Sequence, residues 1–374
     1  MSLVRILPVT DRRTLARFIR FPRSLYDSSS LWVSPLDFER RRFFDRRKNP
    51  FFEHAEAQLF LAVDDLGRDL GRIAAVEDSR HNEFQKRRVG FFGCFDSKDD
   101  PDAARALFEA AESWLRGRGL PAIHGPVNLS TNHECGLLVS GFDVPPRIQM
   151  TYNHPYYEKL ILDQGYQGVQ DLVAYEYFVD GRIPERIERA RQVFQKRHPF
   201  TTRPLNVKRF REELATVKLV YNESWASNYG FVPLTDREID WLASDLKPVL
   251  APDLCRMAEY EGEPAGVMVI LPDVNQVLRP LRGKLFPLGW WKLLRGMKRI
   301  DAMRGLVLGI RPRFRKLGID YAFYTEGLQA AQARGYRWIE LSWILAHNVE
   351  LLHALQRLEA RETKRYRLYE KALA

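Results

Sequence analysis

The stretch "GIRPRFRKLGID", residues 309–320, decides how the rest of the chain is read. Four basic residues, Arg311, Arg313, Arg315 and Lys316, fall within six positions and run towards Gly318. Before it, "RGLVLGIR" (304–311) has the apolar run of a short strand. After it, 318–334 carries apolar residues at helical spacing. A strand, a basic turn, a glycine and a helix N-terminus make a layout that suits an anion. Backbone N–H groups and the helix dipole point at the turn, glycine admits a ligand close to the backbone, and Arg and Lys add charge. Spacing alone leaves a solvated surface turn equally open.

The neighbouring elements give that turn its setting. Downstream, "RWIELSWIL" (337–345) reads as a strand, 348–359 as a helix and "ETKRYRLYEKAL" (362–373) as a final strand. Upstream, 254–273 reads as a hairpin turning at Glu261-Gly262. A helix within 231–250 is announced by Thr235 followed three residues later by Glu238, a capping box. Before these come a strand at 200–206 and a helix at 207–228.

The first half repeats the order with little residue identity: a strand at 3–9, a helix at 11–26, a hairpin of 57–65 and 71–79, and a strand at 89–96. Asp100 and Pro101 then start a helix whose apolar face includes Ala103, Leu107 and Ala111, and Gly117 or Gly119 ends it. A short strand at 122–127, a polar loop at 128–154, a helix at 155–165 and a strand at 168–179 complete this half. The expected organisation is a domain at 1–180, a linker with a basic helix at 181–199, and a domain at 200–374.

This arrangement resembles the GNAT acyltransferase superfamily, whose signature R/Q-x-x-G-x-G/A lies between a strand and a helix and holds the pyrophosphate of an acyl-CoA. Here the stretch is Arg315-Lys316-Leu317-Gly318-Ile319-Asp320, matching at Arg315 and Gly318, with Asp320 where the family has a small residue. The resemblance spans about 254–373. It implies an α/β protein of two tandem GNAT-like domains, each a mixed, mostly antiparallel twisted sheet flanked by helices. It also implies acyl-CoA as co-substrate, held by Ile310, Arg311, Arg313, Arg315, Lys316, Leu317, Gly318, Ile319, Asp320 and Asn348. The first domain's equivalent turn contains Asp96, Asp99 and Asp100 and no glycine, so it would repel pyrophosphate. That domain is expected to be degenerate.

Acyl transfer to an amine requires an acceptor for the amine proton and a donor for the thiolate. Glu340, on a strand whose alternation puts Ser342 and Ile344 on the same face, is the expected base. His347 and Glu134 are the other catalytic candidates. Glu134 and His133 belong to "GPVNLSTNHECGLL", a stretch also seen in bacterial two-domain relatives; its polar residues can equally just fix the loop. The family's tyrosine acid is replaced by leucines at 351, 352 and 355, with Tyr366 and Tyr369 as substitutes. No His–Asp arrangement supports Cys135 as a nucleophile, so a buried thiol is expected. No metal site is expected.

A net charge of +10, from 58 basic and 48 acidic residues, favours anionic partners, but no nucleic-acid-binding motif accompanies it. Three scattered cysteines and no secretory signal point to the cytoplasm. Simple GNAT domains have a tight turn where this chain has an insertion at 272–304. Between 277 and 299 it mixes leucines and tryptophans with seven basic residues and no acidic one. It reads either as helical packing against the neighbouring domain or as a lip for an anionic membrane or a long acyl chain. The expected function is transfer of an acyl group from CoA to an amine, a lipid-type amine such as a long-chain base if the chain joins the GNAT-like bacterial ceramide synthases. A small-molecule or peptide N-acetyltransferase and a non-catalytic acyl-CoA-binding membrane protein are the alternatives.

Overall fold

A computed structural model describes residues 4–179 and 182–373; Leu3 of the first expected strand, residue 180 at the end of the first expected domain and residue 181 of the expected linker lie outside them. The strands are β1 (Arg5–Pro8), β2 (Ala55–Val63), β3 (Asp69–Asp78), β4 (Gly90–Ser97), β5 (Ala122–Gly125), β6 (Leu137–Ser140), β7 (Gln167–Phe178), β8 (Thr201–Pro204), β9 (Arg256–Tyr260), β10 (Glu263–Pro272), β11 (Ala302–Ile310), β12 (Trp338–Leu345) and β13 (Arg361–Ala372). The helices are α1 (Arg12–Arg20), α2 (Asp37–Phe43), α3 (Ser79–Gln85), α4 (Pro101–Arg116), α5 (Tyr156–Leu162), α6 (Glu185–Arg197), α7 (Phe210–Trp225), α8 (Asp236–Leu246), α9 (Asn275–Leu278), α10 (Gly289–Met297), α11 (Ile319–Ala333) and α12 (Val349–Arg357).

Two compact units form, and they are not two consecutive stretches of chain. Unit 1 gathers the chain up to Leu172, Asn275–Leu294 and the chain from Lys364; unit 2 gathers Val173–Val274 and Arg295–Thr363. Unit 1 has the strand order β1-β2-β3-β4-β5-β13, with β6 also on β13. Unit 2 has the order β8-β9-β10-β11-β12-β7. One parallel contact sits at the same place in each: β4 with β5, and β11 with β12. The two halves of the chain thus exchange strands. The C-terminal β13 completes unit 1 beside β5, and β7 from the N-terminal half completes unit 2 beside β12.

Local chemistry accounts for the boundaries. In α4 the Asp100 side chain accepts from the backbone N–H groups of Asp102 and Ala103, and Pro101 occupies the first turn. Its stripe of Ala103, Leu107, Phe108, Ala111 and Leu115 is buried in the unit 1 core with Phe92, Phe95 and Tyr166. Burying one such leucine contributes about 1.5–3 kcal/mol. The helix expected at 11–26 stops at Arg20, because Pro22 lacks the N–H needed to continue and a 3-10 turn follows. In unit 2 the capping box of α8 forms as expected, with Thr235 and Glu238 satisfying each other's backbone N–H. The β9–β10 turn places Glu261 and Gly262 at φ 52° and 79°. The short strand β6 lies within the segment expected to be a polar loop, and α2 and α3 lie where no helix is expected from the sequence.

Candidate functional site

Pairing between β11 and β12 stops early. Ala302–Gly305 pair with Trp338–Leu341, and beyond that point the strands part. β11 stays bonded to β10 on its other edge, from Val307 opposite Val269 to Ile310 opposite Gly266. A cavity of about 690 Å3 fills the splay, within the roughly 300–1,000 Å3 usual for small-molecule sites. All its lining comes from unit 2. Alternation along β10 shows that it passes through the sheet. Met268 faces α11, where a Cβ on Gly327 would meet its Cε at 2.8 Å, while Val267 packs with Val217 and Val220 of α7. The lining takes Met268, Ile270 and Gly327 from the first side and Ser224 and Trp225 from the second.

One mouth of the cavity is the basic turn. Lys316 and Gly318 both have left-handed backbone, at φ 66° and 82°. A Cβ on Gly318 would lie 2.3 Å from the Cβ of Phe194 in α6, so the position admits only glycine. Gly318 is the N-cap of α11 and has no side chain to satisfy the first-turn N–H groups, and the Asp320 carboxyl takes those of Asp320 and Tyr321. Asp320, in that first turn, lines the cavity. Burial pushes its carboxyl up, and the backbone N–H groups of Asp320 and Tyr321 offset this only in part.

The four basic residues of the turn do different jobs. Arg311 makes a bidentate pair with Glu223 of α7 (2.8 and 2.9 Å) and donates to the Pro264 carbonyl (2.8 Å). Arg313 pairs with Glu263. Arg315 donates to the Ser224 carbonyl (3.0 Å) and lines the cavity beside Lys316. Of the expected CoA contacts, Ile310, Arg315, Lys316, Gly318, Asp320 and Asn348 line the cavity; Arg311, Arg313, Leu317 and the core residue Ile319 do not. Asn348 also caps α12, accepting from the Leu351 N–H (3.3 Å).

Glu340 is fully buried and is not part of the lining. Its neighbour on the same face, Ser342, is part of the lining and is the first β12 residue past the parting of the strands. Ser342 Oγ donates to Glu340 Oε1 (2.8 Å) and accepts from Arg304 Nε (3.0 Å), while Arg304 Nη2 donates to the Ser342 carbonyl (3.0 Å). The structure therefore links Glu340 to the cavity through a hydroxyl that sequence reasoning passed over; the i, i+2 spacing was the available signal. His347 is exposed and lies outside the lining.

Glu134 sits in unit 1. It pairs with Arg40 and accepts from Asn128 Nδ2 (2.9 Å). Burial raises its carboxyl, but Arg40 and Asn128 outweigh this and hold it below the usual range. Its stretch plugs the unit 1 counterpart of the splay. After Phe91 pairs with His124, the Val127 N–H donates to Phe92 O (2.8 Å), and Asn128 Oδ1 accepts from the Cys94 N–H (2.7 Å). A Cβ on Gly93 would lie 1.9 Å from Val127 O, so the loop fits flush against β4. His133 packs its ring against Phe43, and Cys135 is buried. Tyr369 donates to Glu158 (2.7 Å) in unit 1. At the equivalent of the basic turn, the Asp100 carboxylate already occupies the N–H groups of α4.

Among the described residues, no group of three or more His, Cys, Asp or Glu is placed to hold a metal ion. No family model matches the chain. It is 38% identical to the bacterial ceramide synthase of Caulobacter vibrioides, over 98% of this chain and 97% of that protein. It is 36% identical to protein YghO of Escherichia coli, over 97% and 94% respectively. Among solved structures, a tandem GNAT protein from the clavulanic acid biosynthesis pathway aligns with all of this chain and 99% of its own, at TM-score 0.55 and 8% identity. A GCN5-related N-acetyltransferase from Sphaerobacter thermophilus aligns over 98% and 96%, at TM-score 0.54 and 13% identity. The curated relatives share the sequence over nearly its whole length and the solved structures share the tandem GNAT fold, so the chain belongs to the family of the Caulobacter ceramide synthase and the Escherichia protein and is built on that fold.

Proposed function

We propose that this protein transfers an acyl group from acyl-CoA to a lipid-type amine, a long-chain base, to give an amide, and works at the inner face of the cell membrane. The observation that carries this is the cavity in the β11–β12 splay, which joins the glycine-led N-terminus of α11 to an apolar interior. The turn suits a pyrophosphate that displaces the Asp320 carboxyl from the first-turn N–H groups, with Lys316 and Arg315 at its rim. The cavity-facing edge of β11 past Gly305 is not paired with β12, so it suits the amides of an extended chain. Met268, Ile270, Phe323, Leu328 and Ala331 give the interior a surface suited to an acyl tail. The relative named a ceramide synthase supports the long-chain acceptor.

Acyl-CoA, as substrate, supplies an activated thioester carbonyl. Ser342 Oγ takes a proton from the attacking amine while passing its own to Glu340 Oε1. Arg304 holds the hydroxyl in place and keeps its lone pair directed. As the C–N bond forms the C–S bond breaks, and the departing thiolate takes the proton that Glu340 received, returned through Ser342, which restores both groups.

Incubating the protein with palmitoyl-CoA or acetyl-CoA, and with sphinganine or a small amine, tests the reading by mass spectrometry. Long-chain amide and free CoA are the expected products. Preference for acetyl-CoA would favour a small-molecule acetyltransferase. CoA binding with no amide from any pair would favour a non-catalytic acyl-CoA-binding protein, the reading that the full burial of Glu340 supports.

Asp320 supplies a pH test. Its carboxyl, raised by burial, is negative when ionised and would face the phosphates. CoA affinity is therefore expected to increase as pH falls through its raised pKa. Asp320→Asn should remove that dependence and tighten binding at neutral pH by about fivefold, the size of one unit charge at ~4 Å under water-like screening. Calorimetry across pH would reject the role if both proteins show the same slope.

A further inference from the structure

We propose that residues 284–299, the loop and helix around α10, form a docking surface for an anionic lipid membrane. Phe286 is 83% exposed, Leu288 64%, Leu294 63%, Trp290 49% and Trp291 46%. No residue of α10 is buried. Yet the helix is amphipathic: Trp290, Leu293, Leu294 and Met297 fall on one face, Lys292 and Arg295 on the other. Leu293 and Met297 are half-buried, while Trp290 and Leu294 of the same face stay exposed, so that part of the face is open to a partner outside this chain.

The base of the segment is fixed while its tip projects. Arg282 Nη2 donates to the Tyr26 carbonyl (3.1 Å), the Asp37 N–H donates to the Gly283 carbonyl (3.2 Å), and Asn275 Nδ2 donates to the Pro146 carbonyl (2.9 Å). Gly283 has φ 77°, and a Cβ there would lie 2.6 Å from Pro35 O. These contacts hold Leu281 buried in unit 1, while Lys284, residues 286–288 and 290–292, Leu294 and Arg295 are exposed.

Charge identifies the partner. Between 277 and 299 there is no acidic residue. Lys284, Lys292, Lys298 and Arg299 are exposed and make no ion pair among the described residues. Protein interfaces are depleted in lysine, whereas interfacial helices combine Trp and Leu on one face with Lys and Arg on the other. Lysine stems can lie along the apolar surface with their ammonium groups at phosphate level. Among the described residues no helix is long and apolar enough to cross a membrane, so the contact is peripheral. This inference places the acyl-transfer reaction proposed above, but it is carried by a different segment.

Co-sedimentation with phosphatidylcholine vesicles, with and without phosphatidylglycerol, tests it on the full chain. Two variants change only exposed positions: Lys284→Glu/Lys292→Glu/Lys298→Glu, and Phe286→Ser/Trp290→Ser/Leu294→Ser. Both should keep the wild-type melting temperature and CoA affinity. Wild type is expected to bind phosphatidylglycerol vesicles and to release as salt rises past the ~10 Å Debye length of 0.1 M. Each basic residue near an anionic surface contributes about fivefold in partition, so the charge variant should bind at least about a hundredfold more weakly. The serine variant should lose the salt-resistant remainder. The proposal is overturned if phosphatidylglycerol makes no difference, if both variants bind like wild type, or if the charge variant keeps vesicles but loses a single-stranded oligonucleotide. Acyl transfer assayed without vesicles reports on the catalytic reading separately.

Discussion

Replacing Ser342 with alanine is expected to lower kcat about a hundredfold or more while leaving the Kd for CoA within about twofold, since positioned proton transfer typically contributes 10²–10⁴. The hydroxyl lines the cavity where β11 and β12 part, with Glu340 Oε1 2.8 Å behind it. Removing it cuts the buried carboxylate off from the cavity. Glu340→Gln keeps the shape and removes the proton acceptor, so it should lose a similar factor. Ser342→Thr restores a hydroxyl at the same atom and should recover most of the rate. A merely structural role would lower melting temperature and CoA affinity together and would show no rescue by threonine. A kcat within about threefold of wild type for Ser342→Ala would sink the relay.

Gly327→Leu should change which acyl chains are used. Gly327 faces Met268 in the cavity lining, and the atoms nearest its missing Cβ are the flexible Met268 Cε and Sδ and the Ile270 Cδ1, at 2.8, 3.4 and 3.4 Å. A leucine there is favoured in the helix over glycine by up to about 1 kcal/mol, so α11 should persist. Its side chain takes space from the tail. If four methylenes are displaced, about 3 kcal/mol is lost at ~0.8 each, or roughly two-hundredfold in kcat/KM for a long acyl-CoA. A short acyl-CoA should be almost unaffected. Equal losses for long and short chains would place the acyl tail elsewhere.

Much of this was legible because it is local. The glycine-led turn at 318, the Thr235–Glu238 capping box and the Asp100–Pro101 start of α4 each depend on residues within one helical turn. What escaped depends on partners far along the chain. Nothing within 309–320 says that Glu223 would take Arg311, or that Glu263 would take Arg313, which leaves Arg315 and Lys316 at the cavity. The alternation of β12 placed Glu340 and Ser342 on one face, but not which of them meets the cavity, because that depends on where β11 leaves β12. The loop around Glu134 was readable as polar and fixed; that it fills a splay depends on β4, more than 30 residues upstream.

The exchange of β7 and β13 bears on synthesis at the ribosome. Nascent domains generally fold as units, N-terminal first. Here the first unit lacks the partner of β5 until β13 has been translated, and β13 ends at Ala372. Until then β5 has an unsatisfied edge, the kind of surface that recruits other chains. Unit 2 has all its strands except β13's first residues once β12 is made. The half translated first is thus completed last, and a cut in the linker would leave neither fragment with its own final strand.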